Sequence, residues 1–262
     1  MMKKHLLIAV AVLAASAQPA FGQDEGGSDY RVRVGLGAQA RPEFYGGDKM
    51  KIGPLWDIDI ARGDNQFSFE APDDHLAIAV VSKNGFAFGP TANLERSRKD
   101  KDVGAPVGKV KATIEVGGFA EYMAMDSTRI RADIRKGING HDGLVGGIGV
   151  DQIWRDGDKY VFSIGPRLLF SDAKYQRAYF GVTPVAAVAT GLPVYRPDGG
   201  IHAAALASGL SYQFGPQFGM FGYGRVERLL GDAGKSPIVR ELGSRNQFSA
   251  GIGLNYTFNV RQ

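Results

Sequence analysis

From Tyr30 onward the chain alternates between apolar and polar positions. In 30–40 the apolar set is Tyr30, Val32, Val34, Leu36, Ala38 and Ala40, against Arg31, Arg33, Gly35, Gly37 and Gln39. Successive strand side chains point to opposite faces, so one face is greasy and the other charged or bare. The pattern returns at 110–122, where Val110, Ala112, Ile114 and Val116 oppose Lys111, Thr113 and Glu115. It returns again at 128–138, where Ile130, Ala132, Ile134 and Ile138 oppose Arg129, Arg131, Asp133 and Arg135. The last stretch is the cleanest: Phe248, Ala250, Ile252, Leu254, Tyr256 and Phe258 against Gln247, Ser249, Gly251, Gly253, Asn255 and Thr257. The pattern predicts strands at 30–40, 51–60, 66–71, 76–82, 86–96, 110–122, 128–138, 144–154, 159–170, 201–214, 218–230 and 247–258. Twelve strands result, or ten if 66–82 forms no regular hairpin.

A soluble β-sandwich also alternates, so further features must decide. These segments run about 10 residues, as a tilted membrane-crossing strand requires, against a usual 5–6 in soluble sheets. Aromatics are expected near strand ends, as interface girdles: Trp56, Phe86, Phe88, Trp154, Tyr160, Phe170 and Phe258. Short connections at 61–65, 83–85, 123–127, 155–158 and 215–217 alternate with generally longer ones at 41–50, 97–109, 139–143, 171–200 and 231–246. That asymmetry belongs to outer-membrane barrels, whose short turns face the periplasm. The fold class read here is an all-β transmembrane antiparallel barrel in the cell outer membrane.

The first residues fit export. Lys3 and Lys4 precede an apolar run from Leu6 to Ala15, and Ala20-Phe21-Gly22 supplies small residues before Gln23. The run is too short for a transmembrane helix. Residues 1–22 are read as a signal peptide cleaved after Gly22, with Ala17 as the second choice, and 23–262 as a single barrel domain. The chain has no cysteine, so disulfides play no part. After cleavage 29 basic and 27 acidic side chains remain, a balance without a nucleic-acid signal.

Candidate chemistry follows from the phase. The lumen is expected to hold Arg31, Arg33, Lys111, Arg129, Arg131, Arg135, Lys159 and Arg167 against Asp57, Asp59, Glu95, Glu115, Glu121 and Asp133. Two readings stand: a charged pore for an anionic solute, or a salt-bridged filling that closes a narrow barrel. Gly143 to Asp151 lacks the strand–helix context of a dinucleotide loop and reads as lumen-facing strand glycine. His75, His141 and His202 have no metal-ligand spacing. His202 and Ser208 share a face but lie about 20 Å apart along a strand, too far for a hydrolase pair. No catalytic, cofactor or metal residue is assigned. The connection 171–200 is long enough to need structure of its own, and Thr183-Pro184 is placed to start a helix.

Several short stretches carry a resemblance. They are Tyr45-Gly46-Gly47, Phe67-Ser68-Phe69-Glu70 with Asp73-Asp74, and Asn84-Gly85 with Phe88-Gly89-Pro90. They continue with Tyr175, Tyr179-Phe180-Gly181-Val182, Gly191-Leu192 and Tyr195, then Gly231-Asp232-Ala233, Ser236-Pro237-Ile238-Val239 and Tyr256-Thr257-Phe258. In order and spacing the sequence resembles the MltA-interacting protein (MipA)/OmpV family of outer-membrane proteins over essentially the whole mature chain. The resemblance implies an outer-membrane protein in contact with lipid and no enzymatic activity common to the family. It implies partners among murein-remodelling enzymes, a transglycosylase and a synthase, or a surface-interaction role. A narrow solute channel is the alternative. The outer-loop motif residues it singles out are Tyr175, Tyr179, Phe180, Gly181, Val182, Tyr195, Gly231, Asp232, Ser236 and Pro237.

Overall fold

The computed structural model describes residues 29–260, so the signal-peptide reading lies outside them. Alternation becomes twelve strands: β1 (Tyr30–Pro42), β2 (Met50–Arg62), β3 (Leu76–Ala77), β4 (Val81–Lys83), β5 (Phe86–Glu95), β6 (Thr113–Met125), β7 (Thr128–Ile138), β8 (Leu144–Asp156), β9 (Tyr160–Ser171), β10 (Gly200–Gln213), β11 (Phe218–Leu229) and β12 (Asn246–Val260). They form one antiparallel sheet in the order β2-β1-β12-β11-β10-β9-β8-β7-β6-β5-β3, with β4 also on β5. The sheet curls into a barrel wall. The N- and C-terminal strands pair in register, Tyr30 with Val260 through Ala40 with Ala250.

The facing is that of a membrane barrel. Val34, Leu36, Ile114, Ile134, Ile148, Val226, Ile252 and Leu254 point outward and are exposed. Rings gather on the outer surface at the short-turn end. Phe86 stacks on Tyr122, Trp154 on Phe162, and Tyr256 lies between Phe218 and Phe258. Trp56 does not belong to that girdle. β2 is longer than the sequence reading had it, and Trp56 stands at its midpoint, opposite Leu36.

On the inner face, small residues admit large neighbours. The Phe221 ring lies against Gly35 and Gly253, where an added methyl group would come within 2.6 and 2.4 Å of it. The Arg167 side chain likewise lies over Gly149. On β8 only Gly147 and Gly149 are lumen-facing in this way; Gly146 shares the outward parity of Leu144 and Ile148 and lies against Phe170, and Gly143 precedes the strand and packs on Tyr175.

Two segments depart from the sequence reading. Residues 66–71 are not a strand, although Phe67 and Phe69 alternate with Ser68 and Glu70. The segment leaves the wall after Arg62 and runs through the lumen. The wall resumes only at Leu76, where β3 and β4 lie in line along β5, from Leu76 opposite Ala92 to Lys83 opposite Phe86. The second departure is the start of β6. Val110 forms an isolated bridge with Arg98 and is buried among the loops, so the strand begins at Thr113.

The long loops hold five short helices: α1 (Asp100–Val103), α2 (Ala173–Phe180), α3 (Pro184–Thr190), α4 (Gly231–Lys235) and α5 (Pro237–Leu242). Asp172 caps α2 through the Tyr175 amide at 2.9 Å. Thr183 caps α3 through the Ala186 amide at 3.2 Å, with Pro184 in the first turn. Gly191 at φ 76° ends α3. The Thr190 hydroxyl donates to the Ala186 carbonyl at 2.6 Å.

Candidate functional site

The lumen is crossed by residues 66–75, here called the plug. At the short-turn end the Phe67 amide donates to Asp158 at 3.0 Å, and Arg155 donates to the Phe67 carbonyl at 2.6 Å. The Phe67 ring faces two guanidinium groups, Arg33 at 4.4 Å and Arg31 at 4.9 Å from its centroid. Phe69 lies under Arg129 at 4.7 Å. A guanidinium over a ring face is attractive, the more so out of water. The two aromatics therefore serve the charged lumen and not the lipid, which is why their alternation misleads.

Above them the chain turns at Ala71-Pro72-Asp73-Asp74, closed by the Asp74 amide on the Ala71 carbonyl at 2.9 Å. The turn aims two carboxylates in different directions. Asp73 meets Arg225 of β11 at 2.6 Å and Arg167 of β9 at 3.0 Å. Asp74 meets Arg129 at 2.7 Å and Arg131 at 3.5 Å, both on β7. Arg129 and Arg167 also share Asp151 of β8, at 2.8 and 2.6 Å. Asp151 thus bridges the two sides of the plug. Arg129 is only 2 % exposed, yet its guanidinium is met by Asp74, Asp151 and Glu121. Burial of this much charge is tolerable because the arginines and acids of this network are paired with one another.

The other candidate charges have definite places. Arg33 pairs with Asp59 at 2.8 Å and Arg31 with Asp158 at 2.8 Å. Asp57 stands on the same face of β2 as Asp59. Glu121 takes Arg131 at 2.8 Å. Glu115 accepts from Arg135 at 2.9 Å, and its other oxygen lies 3.0 Å from His141. Arg135 also pairs with Asp133. Glu95 accepts from the Arg96 amide at 3.1 Å. Two residues are not wall charges. Lys111 is exposed in the loop before β6, because that strand starts two residues later. Lys159 is exposed in the turn between β8 and β9, beside a space below Phe67.

The network contains residues that the strand phase did not single out. Arg225 and Glu227 continue the inward face of Tyr223, and Asp151 continues that of Gly147 and Gly149, so parity alone could have found them. Asp73 and Asp74 carried no such signal, since nothing local distinguishes a lumen turn from a surface turn.

A lid closes the loop end. Tyr45, Tyr175, Tyr179, Phe180, Val110, Leu229, Ala233 and Val239 form one apolar cluster, and Phe44, Val103, Val107, Val182, Ala186 and Ile238 an adjoining one. Polar contacts tie the lid loops together. The Ser236 hydroxyl donates to the Phe180 carbonyl at 2.7 Å, and the Tyr195 hydroxyl to the Asp232 carbonyl at 2.9 Å. Val182 and Tyr195 exchange backbone bonds. Asp232 accepts from the Asp198 amide at 3.1 Å, which holds its carboxyl below the usual range. Burial pushes the Tyr175 and Tyr179 phenols up. Gly231 adopts φ 51°, and Pro237 opens α5. The aromatic motif is thus the core of the lid and not a surface it presents: Phe180 is 0 % exposed, whereas Val188 on the outside of α3 is 91 % exposed.

Between plug and lid lies a chamber of about 500 Å³, lined by interleaved arginines and acids with Tyr45, Tyr175, Tyr179 and His202 above. A second space of about 340 Å³ lies below Phe67, toward the turns. Ser171 and His202 approach to 3.0 Å beside the chamber. Ser208, on the same strand as His202, instead donates to the Gly224 carbonyl. Among the described residues no carboxylate bonds to the His202 ring, so no acid orients it as a catalytic base.

The barrel can be set beside solved structures. It is similar to the KdgM porin at 11 % identity, covering 89 % of this chain and 99 % of that one, with a TM-score of 0.38. It is similar to the COG4313 outer membrane channel from Pseudomonas putida F1 at 8 % identity, covering 91 % and 100 %, with a TM-score of 0.43. The translocator domain of the autotransporter NalP from Neisseria meningitidis is 14 % identical, with coverage of 98 % and 95 % and a TM-score of 0.39. No curated protein matches the chain. The family model for MltA-interacting protein MipA matches residues 34–258, and so the chain belongs to the MipA family, as an antiparallel β-barrel of the outer membrane.

Proposed function

We propose that this protein is a non-enzymatic outer-membrane barrel, closed at rest, that acts by binding other proteins, and that its partners are murein-remodelling enzymes on the periplasmic side. The observation that carries the reading is the plug, tied by Asp73 and Asp74 to β7, β9 and β11. A lumen barred by buried ion pairs and capped by a packed lid is poorly suited to steady solute flow. The family's name supports an enzyme of the MltA kind as one partner. The lid supports the inward direction too, because its aromatic motif is used up in its own core.

The rim available to a periplasmic partner includes Asn84-Gly85, Asp126-Ser127 and Gly215-Pro216. A stable interface needs about 800 Å² from each side, so several turns must contribute together. The turn at Asp158 is a poor place to probe, because Asp158 also anchors Arg31, Arg155 and Phe67. The test is capture of a purified MltA-type transglycosylase by the barrel in nanodiscs. Replacing Asp126-Ser127 and Gly215-Pro216 together should weaken capture, while Val185→Ser with Val188→Ser should not. Capture lost only with the valine variants would overturn the periplasmic reading in favour of an outward-facing role.

A further inference from the structure

The wall has a seam, and its geometry fits one particular strand. Every step round the sheet is antiparallel, and an even number of steps leads from β2 to β3. β2 and β3 therefore run the same way, from the loop end toward the turn end. Among the described residues no ladder joins them. One strand running the opposite way would close the wall. Open edges at membrane depth leave backbone groups without partners, which is costly in lipid.

The chain between those two strands is the plug itself. It climbs in the required direction, from Phe67 beside Asp158 in a short turn to Leu76 opposite Ala92 near the loop end of β5. A hairpin start is already formed: the Asn65 amide donates to the Arg62 carbonyl at 3.2 Å across Gly63-Asp64, with Gly63 at φ 55°. Continuing that turn as a two-residue hairpin would set Phe67 opposite Ile60, Phe69 opposite Ile58 and Ala71 opposite Trp56. Ile58 and Trp56 face lipid. Ser68 and Glu70 would fall opposite Asp59 and Asp57 on the lumen side. On the other flank, the turn at Pro72 to His75 would set Ala71 opposite Leu76 and Phe67 opposite Val80, both exposed outward. The apolar parity agrees on both sides. A slip of one residue would invert it.

We propose that Gln66–Ala71 is a switchable strand. In the lumen it bars the barrel. Inserted between β2 and β3 it closes the wall along the turn end of β2 and withdraws Phe67 and Phe69 from the lumen, opening a conduit between the chamber and the space below Phe67. The ion pairs of Asp73 and Asp74 hold the barred form. The switch does not depend on which protein the barrel binds.

The chain has no cysteine, so pairs can be introduced freely. Pro72→Cys with Gly209→Cys joins the barred form, where a side chain at Gly209 would reach Pro72 within 2.6 Å. Ile58→Cys with Phe69→Cys can join only the inserted form, because Ile58 points to lipid while Phe69 lies under Arg129. Under mild oxidant the second pair should crosslink in a minor fraction of folded barrels. Adding Asp73→Asn and Asp74→Asn should raise that fraction about tenfold, since one charge-assisted hydrogen bond shifts a two-state population by at least that factor. In planar bilayers, in a Phe180→Ala background that loosens the lid core, the first crosslink should abolish openings and the second should hold the barrel conducting, each reversed by reductant. If the acid variants disturb folding, read from heat-modifiable mobility, the two crosslinks without them still decide. The proposal fails if Ile58→Cys and Phe69→Cys never join in folded barrels, or if they join and the barrel stays silent.

Discussion

Asp74 reaches across the lumen to Arg129 at 2.7 Å, tying a turn of the plug to the wall at β7. Arg129 keeps Asp151 as a second partner at 2.8 Å. Asp74→Ala therefore leaves the guanidinium with one close carboxylate instead of two. Loss of a hydrogen bond to a buried charged group costs about 1.5–3 kcal/mol. The unfolding midpoint of the purified barrel in denaturant should fall accordingly. An unchanged midpoint would mean that the plug is not held by this pair.

The facing of β12 gives a second expectation. Ile252 points to lipid at 60 % exposure, paired with Ala38 in the middle of the wall, while Ser249 faces the chamber. Ile252→Arg should cost about 2–4 kcal/mol if its side chain sits near the bilayer midplane. Ser249→Asn should cost far less. Folding titrations into lipid vesicles measure both. Equal costs would contradict the phase.

Much of this fold is legible in the sequence because β12, β7 and β1 are strictly two-faced. A greasy face toward lipid and a polar face toward the lumen leave no other register. The plug is not legible for a physical reason. Phe67 and Phe69 show the same parity whether they meet lipid or guanidinium groups, and only the distant Arg33 and Arg129 decide between these. The lid shows the converse. Thr183-Pro184 marks its helix start locally, but burial of Tyr179 and Phe180 depends on α4 and α5, some fifty residues on. The Ser236 hydroxyl on the Phe180 carbonyl is a contact that no local pattern announces.

Inner-face glycines make room for rings, which gives a third expectation. A side chain at Gly35 would press on Phe221, whereas nothing stands within 4 Å of one at Gly53. Gly35→Val should destabilise by about 1–3 kcal/mol, the usual cost of overpacking. Gly53→Ala should be close to neutral. Paired denaturant titrations of the two variants check the contrast, and a reversed order would place Phe221 elsewhere.

The lid should open when its core is emptied. Phe180 is fully buried beneath Ser236 and beside Tyr45, their rings 5.5 Å apart. Phe180→Ala removes a core ring, a change that costs about 3–5 kcal/mol. Protease added to intact cells should then cut within 172–199, while Val188→Ser, on the outer surface, should leave the lid resistant. Equal resistance in both variants would show that Phe180 does not hold the lid.

The central claim is that the barrel's own chain bars its lumen, through residues 66–75 and the lid. The most direct measurement is the conductance of the purified, folded wild-type protein in planar bilayers. The account predicts no steady current, only rare openings that become frequent when Asp73→Asn and Asp74→Asn are combined with the lid variant Phe180→Ala. A wild-type barrel that conducts steadily at the level of an open porin would contradict it.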